Sequence, residues 1–136
     1  DGLQKKRKYK CGVEVNFVGT AAGHQWLFDV SGAFSSSRPG LQRTDTLWKA
    51  LGKAAVLSAE VAAEESKPFR LVLLTTDVPP SGSAGGRALT AAQHDGLIWD
   101  VLILKDPQTV ARLLQYASGD ADWADDRPRR ITAYDG

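Results

Sequence analysis

The sequence of 136 residues contains no methionine and only one cysteine. A single cysteine cannot form an internal disulfide, so disulfide-stapled secreted folds are excluded and a reducing, cytoplasmic compartment is predicted. The uncharged apolar runs fall well short of the roughly 18 residues that cross a bilayer, so we expect no membrane-spanning helix. Internal repeats are also absent. Because methionine is missing throughout, we expect the chain to be one domain of a longer protein.

The residues that are present have the composition of an ordinary globular domain. Apolar residues make up 43% of the chain and charged residues 24%, and the length suits a single packed core. The charges nearly cancel, yet five basic side chains fall within residues 5–10. They are Lys5, Lys6, Arg7, Lys8 and Lys10. Such a block is typical of a surface that binds nucleic-acid phosphates, and a solvated segment is the alternative.

The spacing of apolar residues predicts a β-hairpin followed by alternating helices and strands. Apolar and polar residues alternate from Tyr9 to Val18 and again from Trp26 to Ser31, on either side of a turn-prone segment. Helices are expected over 46–65, about 87–93 and about 106–116, and continuous apolar strands over 69–75 and 97–104. Buried strands separated by helices pair in parallel. The predicted fold is an α/β domain with a mixed sheet, in which an antiparallel hairpin is followed by helix, strand, helix, strand and helix.

The hairpin carries two acidic residues that are candidate metal ligands. A loop centred on the 21–22 bond would place Glu14 opposite Asp29 on one face, with Val15 opposite Phe28 on the other. Opposed like charges destabilise a sheet unless a cation lies between them, and Mg²⁺ binds one or two carboxylates together with water and phosphate oxygens. Such a metal activates water for phosphodiester hydrolysis. In the alternative register, Glu14 faces solvent and Asp29 pairs with a lysine or a backbone amide.

A hairpin with one acid on each strand, followed by an amphipathic helix and two buried strands, resembles the PD-(D/E)xK nuclease superfamily and its restriction-endonuclease-like fold. The resemblance covers about residues 9–116, and the opening helix and first strand of that family are missing from the pattern. It implies a metal-dependent DNA endonuclease domain of restriction or repair type, with Mg²⁺ as cofactor and with Glu14 and Asp29 as catalytic metal ligands. The family's acid-x-lysine tripeptide corresponds here to Asp29-Val30-Ser31, so serine stands where lysine is expected.

Because this tripeptide lacks the lysine of the family, another residue of the chain would have to supply the cation. Members of the family can carry it on a neighbouring element, and Lys49, in the first turn of the following helix, is the preferred candidate. Lys53 lies one helical turn beyond it on the same side, and Lys10 on the first hairpin strand is another candidate. Arg43, beside the start of the helix, could bind phosphate. The alternative interpretation of Lys49 is a solvated helix lysine.

Two other functions compete with the nuclease. A domain of the same fold, degenerate at Ser31, would bind DNA or dock a second subunit or the rest of its parent chain. The glycine-rich segment 81–87 follows a strand and precedes a helix, as a phosphate-binding loop does in nucleotide-binding α/β enzymes. That segment has neither the ending of a P-loop nor the glycine spacing of a dinucleotide site, so this third function has the least support.

Overall fold

The computed structural model describes residues 3–21, 23–32, 40–42, 44–65 and 69–118, which form five strands and three α-helices. The strands are β1 (Leu3–Lys8), β2 (Glu14–Ala21), β3 (His24–Ser31), β4 (Phe69–Thr75) and β5 (Asp100–Ile103). The helices are α1 (Thr44–Glu65), α2 (Ala84–His94) and α3 (Gln108–Ser118), with a 3-10 turn at Gly40–Gln42 before α1. The predicted order from the hairpin to the last helix is confirmed, and β1 is an additional strand.

The five strands form one sheet in chain order, β1-β2-β3-β4-β5. The first three strands are antiparallel, whereas β3 pairs with β4 and β4 with β5 in parallel. Parallel neighbours need a long crossover, and α1 and α2 provide the two that this sheet requires. The prediction of a mixed α/β sheet is therefore confirmed.

The basic block lies in an edge strand, β1, as far as Lys8, and this strand pairs with β2. Lys6 interrupts the regular strand with a φ of 47°, a backbone conformation that is uncommon for a residue with a side chain. Lysines are typical of edge strands because their charge discourages pairing with another chain. The block has no apolar alternation, which is why the sequence pattern does not predict a strand there.

Apolar side chains fill both faces of the sheet. Alternation along β4 sends Leu71 and Leu73 to the face under α1 and α2, and Val72 to the opposite face. The first face carries the larger core; its fully buried members include Leu27, Leu57, Val61, Leu89 and Ile98. On the second face, under α3, Trp26 stacks on Tyr116 with ring centroids 4.8 Å apart. The sheet therefore lies between a two-helix layer and a single helix.

A buried acidic network ties α3 to β5. Asp100 is 1% exposed, and its carboxylate accepts hydrogen bonds from the Tyr116 hydroxyl at 2.5 Å and from Arg112 at 3.3 Å. A buried carboxylate is tolerated when it is paired and hydrogen-bonded in this way. Asp100 is engaged in holding the helix, so we assign it a structural role.

The glycine-rich segment forms the start of α2, which begins earlier than the sequence pattern predicts. Ser83 caps the helix, its hydroxyl accepting a hydrogen bond from the Gly86 amide. A Cβ atom at Gly86 would lie 2.1 Å from the Pro80 carbonyl oxygen, so close backbone packing requires glycine there. The packing accounts for this glycine without a phosphate-binding role.

The first hairpin strand was predicted to begin at Tyr9, but residues 9–13 connect β1 to β2, which begins at Glu14. The remaining element boundaries agree with the sequence pattern to within a few residues. The strand predicted over 69–75 is β4 as observed, α1 begins at Thr44, and β5 is shorter than predicted. Among the described residues, no helix combines the length and the hydropathy that crossing a bilayer requires. Arg43, a candidate for phosphate binding, lies outside the described residues.

Candidate functional site

The hairpin pairs in a register two residues away from the predicted one. Phe17 lies opposite Phe28, and the loop is reduced to residues 22–23. Gly23 has a φ of 77°, which suits a two-residue hairpin turn. Val15 was predicted to share a face with Phe28, but it is buried under α1 and α2 whereas Phe28 packs under α3. A shift of two residues keeps each side chain on its own face, so this difference is separate from the register. The predicted register is wrong because the turn centre lies one residue further along the chain.

The observed register separates the two acidic residues that were predicted to oppose each other. Asn16, rather than Glu14, bridges to β3 at Asp29. Its Oδ1 atom accepts a hydrogen bond from the Val30 amide at 2.8 Å, and its backbone N–H donates to the Asp29 carboxylate. Glu14 is exposed. This is the alternative register, in which Glu14 faces solvent and Asp29 pairs with a lysine and a backbone amide.

Asp29 is paired with a lysine from α1. The aspartate is 5% exposed, and its Oδ2 atom lies 3.0 Å from the Nζ atom of Lys53. The same Nζ atom donates a hydrogen bond at 3.2 Å to the backbone carbonyl of Glu14. We call this group the Asp29 cluster: the Asp29 carboxylate, the Lys53 ammonium, the Glu14 carbonyl and Asn16. Strands β2 and β3 and helix α1 meet in it.

The helical spacing of α1 explains why Lys53 reaches this cluster. Ala50, Ala54 and Leu57 are buried against the sheet, and Lys53 lies at the border of that face, half-buried. Lys49, the preferred substitute lysine, is exposed one turn earlier and acts on Asp29 through its charge. The contact with Asp29 is made by Lys53.

Burial raises the pKa of the Asp29 carboxyl above its ordinary value of 3.8. Three neighbours oppose this rise: the ion pair with Lys53, the hydrogen bond from the backbone N–H of Asn16 and the charge of Lys49. Because burial outweighs them, the charged carboxylate is less favourable in the folded chain than in water. A buried carboxylate beside a specific cation is a candidate functional group.

The oxygen atoms of the Asp29 cluster are of the kind that bind Mg²⁺. Asp29 Oδ2 and the Glu14 carbonyl oxygen both lie within 3.2 Å of one cationic atom, Lys53 Nζ. Hard oxygen donors of this type suit Mg²⁺. Within the described part of the chain, no three His, Cys, Asp or Glu side chains are grouped to hold a metal. A Mg²⁺ ion here would complete its shell with water and phosphate oxygens, as this ion commonly does.

The predicted nucleic-acid-binding residues of the basic block lie at the β1 edge of the sheet. Four of them are exposed: Lys5, Lys6, Lys8 and Lys10. Arg7 is half-buried, and its guanidinium carbon lies 4.8 Å from the centre of the Tyr9 ring. Lys10 belongs to the turn between β1 and β2 rather than to a hairpin strand. The basic edge is therefore separated from β3, which carries Asp29, by β2 alone.

Sequence patterns identify some members of the Asp29 cluster but not others. The helical period indicates that Lys49 and Lys53 share one side of α1, and it cannot rank the two. Asn16 carries no signal at all, since its role depends on the hairpin register.

Comparisons with models of protein families, with curated proteins and with solved structures find no match to this chain. The case for a function therefore depends on the geometry of the site.

Proposed function

We propose that this chain is a Mg²⁺-dependent DNA endonuclease domain of restriction or repair type, with a PD-(D/E)xK-like site. The observation that carries the proposal is the contact between Asp29 and Lys53. A buried carboxylate on hairpin strand β3 lies 3.0 Å from an ammonium on the helix that follows. The superfamily pairs an acid on this strand with a lysine, and α1 supplies the cation that Ser31 cannot.

The order of the strands gives the proposal further support. β1 precedes the hairpin and pairs with β2, so the chain has a strand where the resemblance required a first strand that the sequence pattern lacked. The helix α1 then leads to β4, which is parallel to β3. These features support the restriction-endonuclease-like arrangement, and the chemistry depends on the residues of the Asp29 cluster.

The residues of the Asp29 cluster would have distinct roles in phosphodiester hydrolysis. The Asp29 carboxylate and the Glu14 backbone carbonyl oxygen would hold the metal. When bound, Mg²⁺ supplies charge stabilisation and a water molecule of lowered pKa. Lys53 would donate a hydrogen bond to the attacking water, or to a phosphate oxygen as negative charge develops there. The exposed lysines of β1 would hold the DNA backbone without reading its sequence.

A catalytically degenerate module that binds DNA or docks a subunit is the second candidate. Two observations favour it. Lys53 Nζ lies between Asp29 Oδ2 and the Glu14 carbonyl oxygen, where it already neutralises the buried carboxylate. Ser31, at the lysine position of the family, is 8% exposed and has no charge to offer. In this case the ion pair between Asp29 and Lys53 would only stabilise the fold.

Cleavage of supercoiled plasmid with Mg²⁺ or Mn²⁺, and with EDTA as the blank, separates the two candidates. The wild type should nick the plasmid, and Asp29→Asn should abolish nicking while DNA binding is retained, because the substitution removes a metal ligand and a charge that repels phosphate. Asp106→Asn is the matched control, since asparagine caps a helix as well as aspartate does and Asp106 caps α3. A folded wild type that binds DNA but cuts it with neither metal would contradict the endonuclease proposal. It would support the catalytically degenerate binding module.

A further inference from the structure

A groove between α1 and α2 forms an open cavity of about 920 Å³ that does not include the Asp29 cluster. Its principal lining residues are Trp48 and Leu51 of α1 and Arg87, Ala91 and His94 of α2. A cavity of this size is large enough for a small ligand or a nucleotide. The proposed endonuclease site does not account for it.

Trp48 is the most conspicuous residue of this groove. Its side chain is 59% exposed, although tryptophan is among the side chains that gain most from burial. Trp48 also lines a second cavity of about 420 Å³, together with Pro80, Ser83 and Gly85. The residue thus borders open space on two sides. An aromatic residue presented in this way is available to stack on a planar ligand.

A cation lies at the same end of the groove as this aromatic residue. The second cavity joins Trp48 to residues 83–85 at the start of α2, and Arg87 is exposed in the first turn of that helix. Asp95, an acidic residue of the lining, lies beyond the other end of α2, about 12 Å away at 1.5 Å per residue. An aromatic plane and a guanidinium that line one groove suit a nucleotide, whose base stacks and whose phosphate pairs with arginine.

The groove and the Asp29 cluster lie on opposite flanks of one helix. Lys53 of α1 contacts β2 and β3, while Trp48 of the same helix lines the cavity toward α2. A nucleic-acid strand that leaves the Asp29 cluster over the first turns of α1 would meet exposed Lys49 and then Trp48. The path follows exposed cationic and aromatic side chains, the combination that tracks single strands.

We infer that the groove binds an unpaired nucleotide of a DNA strand, with its base stacked on Trp48 and its phosphate at Arg87. The preferred substrate would then be DNA with a single-stranded region beside the duplex that is cut. This inference rests on the proposed function in taking DNA as the ligand, and it adds a binding site that the Asp29 cluster does not contain.

The test is fluorescence anisotropy with a short labelled oligothymidine and with a duplex of the same length, in EDTA so that no strand is cut. Trp48→Ala should weaken oligothymidine binding by about 5- to 150-fold, the range that corresponds to one stacked base, and should leave duplex binding within about two-fold. Trp48→Phe should keep most of the affinity because the ring is retained. Val56→Ala is the control, since Val56 is also exposed on α1 and does not line the groove.

Arg87→Ala should lower the slope of log affinity against log salt by about 0.7, the value for one phosphate contact on a single strand. Three results would each overturn the inference. In the first two, Trp48→Ala leaves the affinity for oligothymidine unchanged, or it lowers the affinities for single strand and duplex equally. The third result is a wild type that does not bind the oligothymidine. The outcomes separate it from the proposed function. If the wild type cuts no plasmid but its oligothymidine binding depends on Trp48, only the endonuclease proposal is refuted. If it cuts plasmid but its oligothymidine binding does not depend on Trp48, only the nucleotide site in the groove is refuted.

Discussion

Replacing Lys53 with methionine tests how strongly the Asp29 ion pair stabilises the fold. Methionine keeps an unbranched apolar side chain of similar length and removes the ammonium, so packing of the stem is largely preserved. The pair has one buried and one partly exposed partner, because the Asp29 side chain is 7% exposed and the Lys53 side chain is 29% exposed. Loss of the ammonium leaves the buried carboxylate without its cation.

The expected loss lies between two well-separated limits. Exposed ion pairs contribute about 0–1 kcal/mol, whereas removing one partner of a fully buried pair costs about 3–5 kcal/mol. For a pair of intermediate burial we expect the free energy of unfolding to fall by about 2 kcal/mol. With a urea m-value of about 2 kcal/mol/M, the unfolding midpoint should fall by about 1 M.

Urea unfolding followed by circular dichroism measures this change against two controls. Lys49→Met, on the same side of α1 but exposed, should stay within about 0.5 kcal/mol of the wild type. The double variant Lys53→Met/Asp29→Asn should recover most of the loss, because it leaves no buried charge unpaired. The reasoning is refuted if Lys53→Met unfolds at the same urea concentration as Lys49→Met, or if the double variant is as unstable as the single one.

Two further predictions concern pH and salt. The pKa of Asp29 is raised above 3.8 in the folded state, so protonation of Asp29 stabilises the fold. This stabilisation is complete below pH 3.8 and is lost as the pH rises through the folded-state pKa. Asp29→Asn stays neutral, so its stability relative to the wild type should increase over this window, and a pH-independent difference in urea midpoints would contradict the assignment. Replacing Lys5, Lys6 and Lys8 together with alanine should flatten the slope of log DNA affinity against log salt by about 0.9 per lost duplex phosphate contact, with exposed Lys105→Ala as control. An unchanged slope would mean that these lysines only protect the edge of the sheet.

The elements that carry the core could be predicted from the sequence, since their signals are local. The run from Leu71 to Leu74 is continuously apolar because β4 is covered on both faces, and the strand predicted over 69–75 has the observed bounds. The stripe of Leu47, Leu57 and Val61 gives the buried face of α1. By contrast, β1 has a lysine-rich sequence because it is an edge strand, so no apolar pattern indicates it.

The geometry of the site could not be predicted to the same extent, because it depends on register. Moving the turn centre by one residue shifts the pairing of β2 and β3 by two residues, and both turns fit a segment rich in glycine and alanine. The sequence pattern identifies Asp29 as a candidate metal ligand, but its neighbours Asn16 and Lys53 follow from the actual turn and from the position of α1 on the sheet. Contacts between distant parts of the chain are not encoded in local periodicity.

The most direct test of the central claim is whether a lysine returned to β3 can replace Lys53. Ser31 lies two residues beyond Asp29 on the same strand and therefore on the same face. Plasmid nicking with Mg²⁺ should be slowed on the order of 10²- to 10³-fold by Lys53→Ala, the size of effect expected when one electrostatic stabiliser is removed. The added substitution Ser31→Lys should restore a measurable part of that rate. A double variant that folds and binds DNA, yet cuts no faster than Lys53→Ala, would contradict the account.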